Sequence, residues 1–475
     1  MASPSGASRA LRDARVGAAL AAEVDRYTAA HPRSLEHFLR ARRSQLGGVP
    51  MNWMTRWASP FPPVVASANG SRLVDIDGAA YVDFALGDTG AMAGHAPAPT
   101  VAAVAEQAAL GFTTMLPSRD SVAVSEDLAR RFGVPLWQFT LSASDANRFV
   151  LRLCRAVTGR TKVLVFDQCY HGSVDETVVR LHEGALAPRI GNLGPQVDPA
   201  VTTRVVDFND VAALERELGR GDVACVLAEP ALTNIGIVLP EHGFLDRLRE
   251  VCDTTGTLLV LDETHTWCAG PGGATAAWGL RPDIVTLGKP VAGGVPIGCY
   301  GMTEEFAARV QSVVVPEAAD VGGVGGTLAG NALSLAAARA TLEQVLTEEA
   351  FARMVTLGER FEAGVAEVLA ETGLPWHVSR IGARVEYMEG LKAPRTGAQA
   401  AAAFDPVVDA YLHLFLLNRG VLMTPFHMMA LMSPATTEAD VDRHTEVFGQ
   451  AVQILLPSHD LHDGAGSSDP RDSLP

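Results

Sequence analysis

The chain has 475 residues, of which 48% are hydrophobic and 19% are charged, and its formal net charge is −16 at pH 7. This length and apolar content are sufficient for two or more domains with a large core. The negative charge argues against binding to nucleic acids or anionic membranes, and no apolar run is long enough to span a bilayer.

The N-terminal part of the chain changes character twice. Residues 1–15 are small and polar and predict a mobile end, whereas residues 16–46 have a helical pattern with a break at His31-Pro32. Residues 47–63 contain repeated Pro and Gly and are rich in Trp, Met and Phe. This loop is expected to form either a plug in the core or the wall of an apolar pocket.

A small β-meander is predicted next, over residues 64–84. The dipeptides Asn69-Gly70 and Asp77-Gly78 separate short alternating stretches, and both are strong hairpin signals. A Gly-rich turn and the start of a helix follow, up to about residue 99. Residues 16–99 are therefore expected to form one N-terminal segment.

Helices and short apolar strands alternate from about residue 100 to residue 330. This alternation indicates a large α/β domain with a mostly parallel sheet wrapped by helices. Residues 331–457 mix helices with short strands at Ala383–Tyr387 and Val421–Met423, and the polar tail at 458–475 predicts disorder. The strands predicted for the large domain are Gln138–Leu141, Lys162–Phe166, Thr203–Asp207, Val223–Glu229, Thr257–Asp262, Ile284–Leu287 and Ile297–Gly301.

The six cysteines are scattered, without the spacing of a metal site, and the N-terminus lacks the apolar core of a signal peptide. They are expected to be reduced interior thiols of a cytoplasmic protein that holds no metal.

Two of the predicted strands end in residues that suggest chemistry. The run Leu258–Leu261 ends in Asp262, and the run Ile284–Leu287 ends in Gly288 and Lys289. Parallel strands present their carboxyl ends at one rim of a sheet, where open α/β proteins bind ligands. An acid and an amine at that rim suggest pyridoxal phosphate (PLP), because the amine forms a Schiff base with the cofactor and the acid keeps the pyridine nitrogen protonated. In isolation such a pair is more often a helix cap and a solvated charge.

An ordered set of motifs reverses those odds. The set resembles the class III (subgroup II) aminotransferases, in particular the glutamate-1-semialdehyde 2,1-aminomutase-like branch, from about Gly47 to Leu456. The resemblance implies the α/β fold type I of PLP-dependent transferases, with a smaller α+β domain built from the N- and C-terminal segments. The motifs are DIDGAAYVDF, GHAPAP, SASDA, TGRTKVLVFDQCYHG, AEPALTNIG, LVLDET, PDIVTLGKPVAGGVPIG and GGTLAGNALSLAAARATL.

The resemblance implies roles for matching residues around the cofactor. Lys289 corresponds to the lysine that forms the aldimine and then shuttles a proton, a task that needs a neutral amine. Asp262 corresponds to the partner of the pyridinium nitrogen. Tyr170 is expected to stack on the ring, and for the adjacent His171 a structural role is favoured.

Further matches concern the phosphate and the remaining cofactor contacts. Ser142, Ala143 and Ser144 stand where the family has Ser-Gly-Thr, at a helix N-terminus suited to a phosphate dianion, and Ala143 departs from the glycine. Thr327 matches a residue that reaches the phosphate of the neighbouring subunit, which implies a homodimer with shared sites. The remaining matches are Glu229, Asn234, with capping as an equal alternative, and Thr264, where relatives have valine.

The substrate end departs from the family pattern, because no arginine stands at the usual place in the N-terminal loop. Either Arg56 or Arg384 takes over the binding of a substrate carboxylate, or the pocket favours a larger apolar group. The pocket walls are expected to be Trp53, Phe426 and Met428, although core packing is the commoner role for such side chains.

The resemblance therefore predicts a PLP-dependent aminotransferase that moves an amino group between an amine or amino-acid donor and a keto or aldehyde acceptor. An aminomutase of the semialdehyde type and an epimerase or racemase are the alternatives, and all three use Lys289 and Asp262. A non-catalytic scaffold is the more remote alternative, and the intact acid–lysine pair argues against it.

Overall fold

The computed structural model describes residues 6–195, 197–313, 322–425 and 427–456. The described strands are β1 (Val65–Asn69), β2 (Arg72–Asp75), β3 (Ala80–Asp83), β4 (Leu136–Thr140), β5 (Lys162–Phe166), β6 (Val179–His182), β7 (Ala185–Pro188), β8 (Thr203–Val206), β9 (Val223–Ala228), β10 (Leu258–Asp262), β11 (Ile284–Leu287), β12 (Gly298–Met302), β13 (Trp376–Ile381), β14 (Arg384–Glu389), β15 (Val421–Leu422) and β16 (Met429–Leu431).

Helices cover the sheets and join them. The described α-helices are α1 (Gly6–Ala30), α2 (Pro32–Ala41), α3 (Ala98–Leu110), α4 (Asp120–Phe132), α5 (Ala143–Thr158), α6 (Pro199–Thr202), α7 (Val211–Leu218), α8 (Phe244–Thr255), α9 (Gly273–Ala277), α10 (Glu304–Val313), α11 (Ala332–Gln344), α12 (Glu348–Thr372), α13 (Gly397–Ala402), α14 (Pro406–Leu417) and α15 (Glu438–Val452).

A seven-stranded sheet forms the centre of the large domain, in the order β4–β12–β11–β10–β9–β5–β8. The strands from β11 to β8 pair in parallel, whereas β12 is antiparallel to both of its neighbours. The prediction of a mostly parallel sheet between helices is confirmed. Strands β5 and β11 have the predicted bounds, and the other five differ by one or two residues.

The composition of the central strands explains their position. Every residue of β9, β10 and β11 is buried, as expected for apolar strands that helices cover on both faces. Helix α5 packs its apolar side on this sheet, and it begins where the Ser142 side chain accepts a hydrogen bond from the Asp145 backbone N–H. It ends at Gly159, whose φ of 68° suits glycine.

The smaller domain joins the two ends of the chain. The predicted meander is confirmed as β1–β2–β3, and β15 from the C-terminal segment adds to it in parallel beside β3. Strands β13, β14 and β16 form a second, antiparallel sheet. Sequence reasoning located β14 and β15 but missed β13, β16 and the β6–β7 hairpin.

Helix α1 begins at Gly6, earlier than the predicted start at Val16. Contacts with the C-terminal segment hold its first turns: the Arg12 guanidinium lies 3.2 Å from Glu389 and 3.0 Å from Asp405, and Arg15 donates to the Leu456 carbonyl. Residues 6–15, which belong to the predicted mobile end, are therefore helical in the structure. The predicted break at His31-Pro32 is confirmed, since Pro32 starts α2.

All six cysteines are buried and free, as predicted. No helix in the described part of the chain is long and apolar enough to cross a membrane. Within the same residues, His, Cys, Asp and Glu side chains form no cluster of three or more that is suited to a metal ion. The tail at 458–475, predicted to be disordered, lies outside the described residues.

Candidate active site

The two strand ends identified from sequence meet in the structure. Strand β10 ends at Asp262, which lies in register with Thr286 of β11, and Lys289 follows β11 after Gly288. A cavity of about 460 Å³ opens at this rim, and both Asp262 and Lys289 line it. Because the strands are parallel neighbours, their carboxyl ends bring the acid and the amine together, as predicted.

Asp262 is buried and accepts hydrogen bonds on both oxygens. His171 Nδ1 lies 3.0 Å and Asn147 Nδ2 2.9 Å from Oδ2, and the Thr264 backbone N–H lies 3.1 Å from Oδ1. Burial alone would raise the pKa of Asp262, but His171 and the other donors reverse this and lower the pKa to about 2. The carboxylate therefore stays ionised, which is the state that a protonated ring nitrogen requires.

Asn147 fixes the orientation of this carboxylate, and sequence reasoning missed it. Its Nδ2 also donates to the His171 carbonyl at 3.1 Å, and its Oδ1 accepts from Thr286 Oγ1 at 2.7 Å. The available signal was an asparagine on the apolar side of α5, because a buried amide needs partners.

The Lys289 amine faces two side chains. Its Nζ lies 2.8 Å from Asp88 Oδ2 and 2.7 Å from His265 Nε2. The Lys289 backbone is left-handed, with φ of 50°, which is a strained conformation of the kind found at functional sites.

The N-terminus of α5 forms another wall of the cavity. Ser142, Ala143 and Ser144 line it, and the first N–H groups of a helix have no partner within the helix. Gly288 lies against Ala143, since a Cβ at position 288 would come within 2.9 Å of the Ala143 nitrogen. Because residue 288 has no side chain, there is room for the methyl group of Ala143. The helix start therefore keeps its capacity for a phosphate dianion.

The other predicted cofactor residues lie at different distances from this cavity. Tyr170 lines it, with its ring 5.4 Å from that of Trp53, and the Tyr170 backbone N–H donates to Glu229 at 3.0 Å. Asn234 lines the neighbouring cavity described below, and Thr327 is exposed in the segment before α11.

Thr264 Oγ1 is buried with no hydrogen-bond partner among the described residues, and so is His171 Nε2. Each such group has a cost unless a ligand or water satisfies it. An ionised carboxylate, a helix N-terminus, an unpartnered hydroxyl and a lysine amine thus converge on one cavity. This donor set fits PLP.

A second cavity, of about 420 Å³, adjoins the first. The two share Trp53, Tyr170, His171 and Gly172 as walls, and Met428, a predicted wall residue of the substrate pocket, lines the second cavity. Phe426, the other predicted wall residue, lies outside the described residues.

One of the two candidate arginines lines the second cavity. Arg56 lines this cavity and is an exposed residue. Arg384 is fully buried, and its guanidinium donates to the Thr233 carbonyl, to Thr89 and toward His265. The geometry therefore assigns Arg384 to the interior of the site and does not support its use as a clamp for a substrate carboxylate.

Sequence reasoning also missed an acidic pair on the wall of the second cavity. Glu386 is buried, with Oε1 2.6 Å from His427 Nδ1, and its Oε2 has no partner among the described residues. Burial, followed by Asp405 and Glu386, raises the pKa of the nearby Asp409 to about 7. The second cavity is therefore lined both by acidic side chains and by the apolar side chains of Trp53 and Met428.

Gly172 provides a test of this geometry. Its φ is 81°, and a Cβ there would lie 1.9 Å from Ser144 Oγ, in the wall of the first cavity. We expect Gly172→Ala to displace Ser144, to lower PLP affinity about tenfold and to cost more than the roughly 1–2 kcal/mol of a left-handed alanine. Cofactor titration and thermal unfolding measure both effects.

The matched control is Gly184→Ala, in the β6–β7 turn. Gly184 has a similar φ of 76°, but nothing lies within 4 Å of its Cβ position. It should show the backbone cost alone, with unchanged PLP affinity. Equal effects of the two variants on affinity would contradict the proposed wall.

Comparisons with known proteins agree with this geometry. The aminotransferase class-III family model matches residues 53–452. The glutamate-1-semialdehyde 2,1-aminomutase of Thermomicrobium roseum is 35% identical over 399 residues, which cover 82% of this chain and 91% of that protein.

Solved structures give the same result. A glutamate-1-semialdehyde-aminomutase from Pseudomonas aeruginosa PAO1 has a TM-score of 0.91 and 50% identity, covering 93% of this chain and 99% of that one. A lysine-to-alanine variant of a glutamate-1-semialdehyde-aminomutase from the same organism was solved in complex with PMP. A β-phenylalanine aminotransferase from Variovorax paradoxus has a TM-score of 0.83 and 28% identity, covering 92% of this chain and 97% of that one.

Proposed function

The chain belongs to the class-III aminotransferase family, and we propose that it passes an amino group from an amine or amino-acid donor to a keto or aldehyde acceptor. The enzyme is PLP-dependent, in line with the donor set of the first cavity. When bound, PLP supplies a ring that draws electrons away from the amine-bearing carbon of the substrate.

The residues of this chain divide the remaining tasks. Asp262 would hold a negative charge at the ring nitrogen, and His171 and Asn147 keep that carboxylate in place. The first turn of α5 would bind the phosphate. Lys289 offers its amine as nucleophile and then takes and returns a proton.

The second cavity is the observation that supports two separate substrates. Trp53 and Met428 offer apolar surface beside the shared wall at Tyr170, and Glu386 and Asp409 line the same cavity. This combination suits a donor with an apolar body and a polar or cationic end. Arg56 lines the same cavity, and its guanidinium is of the type that binds a carboxylate through two parallel hydrogen bonds.

An aminomutase is the second candidate, because the relatives at 35% and 50% identity are glutamate-1-semialdehyde aminomutases. An aminomutase moves the amine within one molecule, so it needs no donor. An epimerase or racemase is the third candidate, because it shares the same acid and lysine.

A half-reaction screen separates these functions. Holoenzyme is mixed with one compound at a time, from a panel of arylalkyl amines, α- and β-amino acids and diamines, and the cofactor spectrum is followed. We expect a donor to convert the cofactor to its amine form stoichiometrically, with release of a carbonyl product. Turnover of glutamate-1-semialdehyde without a donor would instead establish the aminomutase, and exchange of the α-hydrogen without loss of amine would establish the racemase.

We further infer a homodimer in the cytoplasm. The support for the dimer is the family match of Thr327 together with its exposure in the segment before α11. Six free, buried thiols suit a reducing compartment. Sedimentation equilibrium tests the assembly, since a monomeric mass would contradict it.

A further inference from the structure

A buried polar chain runs from Arg384 through His265 to the Lys289 amine. We propose that Arg384 fixes the tautomer of His265, and that the Nε2–H of His265 then holds Lys289 as a neutral amine. This inference rests on the proposed function only in taking Lys289 as the reacting amine. Asp88 and Lys289 complete the chain at its open end.

Arg384 sets the direction of the hydrogen bonds. It enters from β14, is fully buried, and its NH2 donates to the Thr233 carbonyl at 2.9 Å. Its NH1 lies 2.9 Å from His265 Nδ1 and 3.2 Å from Thr89 Oγ1. A guanidinium donates and never accepts, so Nδ1 of His265 must offer its lone pair.

The proton of His265 therefore lies on Nε2. A neutral imidazole carries one hydrogen, and with Nδ1 as acceptor that hydrogen is on Nε2. Burial is the largest cause that lowers the pKa of His265 well below its ordinary value, so the ring stays neutral.

The Nε2–H of His265 faces Nζ of Lys289 at 2.7 Å. An ammonium has three donors and no acceptor, whereas a neutral amine has a lone pair that accepts this hydrogen bond. One N–H of the amine donates in turn to Asp88 Oδ2 at 2.8 Å. With Nε2 of His265 as the donor, the two contacts of Nζ are therefore both hydrogen bonds only when the amine is neutral.

The neutral amine matters for loading the cofactor. A primary amine condenses with an aldehyde with loss of one water, and only the neutral form has the lone pair for attack. Among the groups that face Lys289, Asp88 and Asp262 favour the ammonium, whereas Arg384 and the His265 donor oppose it, and Tyr170 is neutral. His265 is thus a catalytic residue that contacts the reacting nitrogen, and Arg384 is a positioning residue.

The test uses the cofactor-free protein and no substrate. The chain has three lysines, Lys162, Lys289 and Lys392, so peptide mapping resolves each of them. Trace acetylation with acetic anhydride between about pH 6 and pH 11 reports the neutral fraction of each amine. Exposed Lys392 is the internal reference, and we expect Lys289 to become reactive at lower pH than Lys392.

Three variants separate the contributions. His265→Asn keeps an acceptor for Arg384 but cannot reach Nζ, and Arg384→Gln removes the charge. Both are expected to lower acetylation of Lys289 relative to Lys392 about tenfold at pH 7, with recovery at high pH. Asp88→Asn is expected to raise the acetylation of Lys289 or to leave it unchanged. The matched control is His37→Asn, since His37 is exposed.

Several results would overturn the proposal. The proposal is wrong if Lys289 of the wild-type protein becomes reactive only at the same pH as Lys392 or at a higher pH. This measurement does not depend on the folding of a variant. The proposal is also wrong if His265→Asn leaves the pH dependence of Lys289 acetylation unchanged. The same holds if Asp88→Asn lowers this acetylation as much as His265→Asn does. Failure of the donor screen would leave these curves unaffected, so the two proposals fail independently.

Discussion

Replacing Lys289 with alanine is expected to lower turnover by about 10⁴-fold or more, because both the nucleophile and the proton carrier are lost. The protein should stay folded, since the side chain borders the first cavity and not the core. Asp88 loses its hydrogen bond from the amine at 2.8 Å, so we expect the free energy of unfolding to fall by about 1–3 kcal/mol. Steady-state kinetics and thermal unfolding measure both changes.

Lys392→Ala is the matched control, because Lys392 is exposed in the loop after β14. It should retain wild-type turnover. Borohydride reduction of the holoenzyme followed by peptide mapping should place a single pyridoxyl group on Lys289. A pyridoxyl group on Lys162 or Lys392, or residual turnover by Lys289→Ala with bound PLP, would show that the reacting amine is another one.

Asp262→Asn is expected to lower turnover by about 10³-fold while the lysine remains available to the cofactor. The substitution removes the negative charge beside the ring nitrogen. It also places an amide N–H opposite one of the donors that Asp262 now satisfies, His171, Asn147 or the Thr264 backbone. The exposed Asp246→Asn, in the first turn of α8, is the matched control.

The same substitution has a signature in acid. The pKa of Asp262 is lowered to about 2 from an ordinary value of about 3.9, so the carboxylate contributes stability above pH 4 and loses it as the pH falls toward 2. Asp262→Asn should therefore be less stable than wild type at neutral pH, and the difference should shrink over that range. A difference that stays constant between pH 5 and pH 2 would contradict the assigned network.

Strand prediction succeeded where apolar runs had sharp ends. Strands β5 and β11 are short, buried and bounded by turn residues, so their limits followed from the residues alone. Strand β13 was missed because WHVSRI mixes polar and apolar residues and half of it is only partly buried. Its pairing with β14 is a tertiary contact that no local pattern records.

Site prediction followed the same division. Asp262 and Lys289 were found because parallel strand ends share a rim. Asp88 was missed because it reaches Nζ from 201 positions away in the chain, although an acid inside the Gly-rich turn after β3 was a usable signal. His265 was noted in the sequence without a role, since only the fold places its ring between Arg384 and Lys289.

The first turns of α1 have a practical consequence. Arg12 pairs with Glu389 and Asp405, and these two acids line the second cavity. A shortened version that begins after Val16 would lack Arg12 and would leave these two carboxylates uncompensated beside the second cavity. Substrate preferences measured on such a version would then describe a cavity with an altered charge.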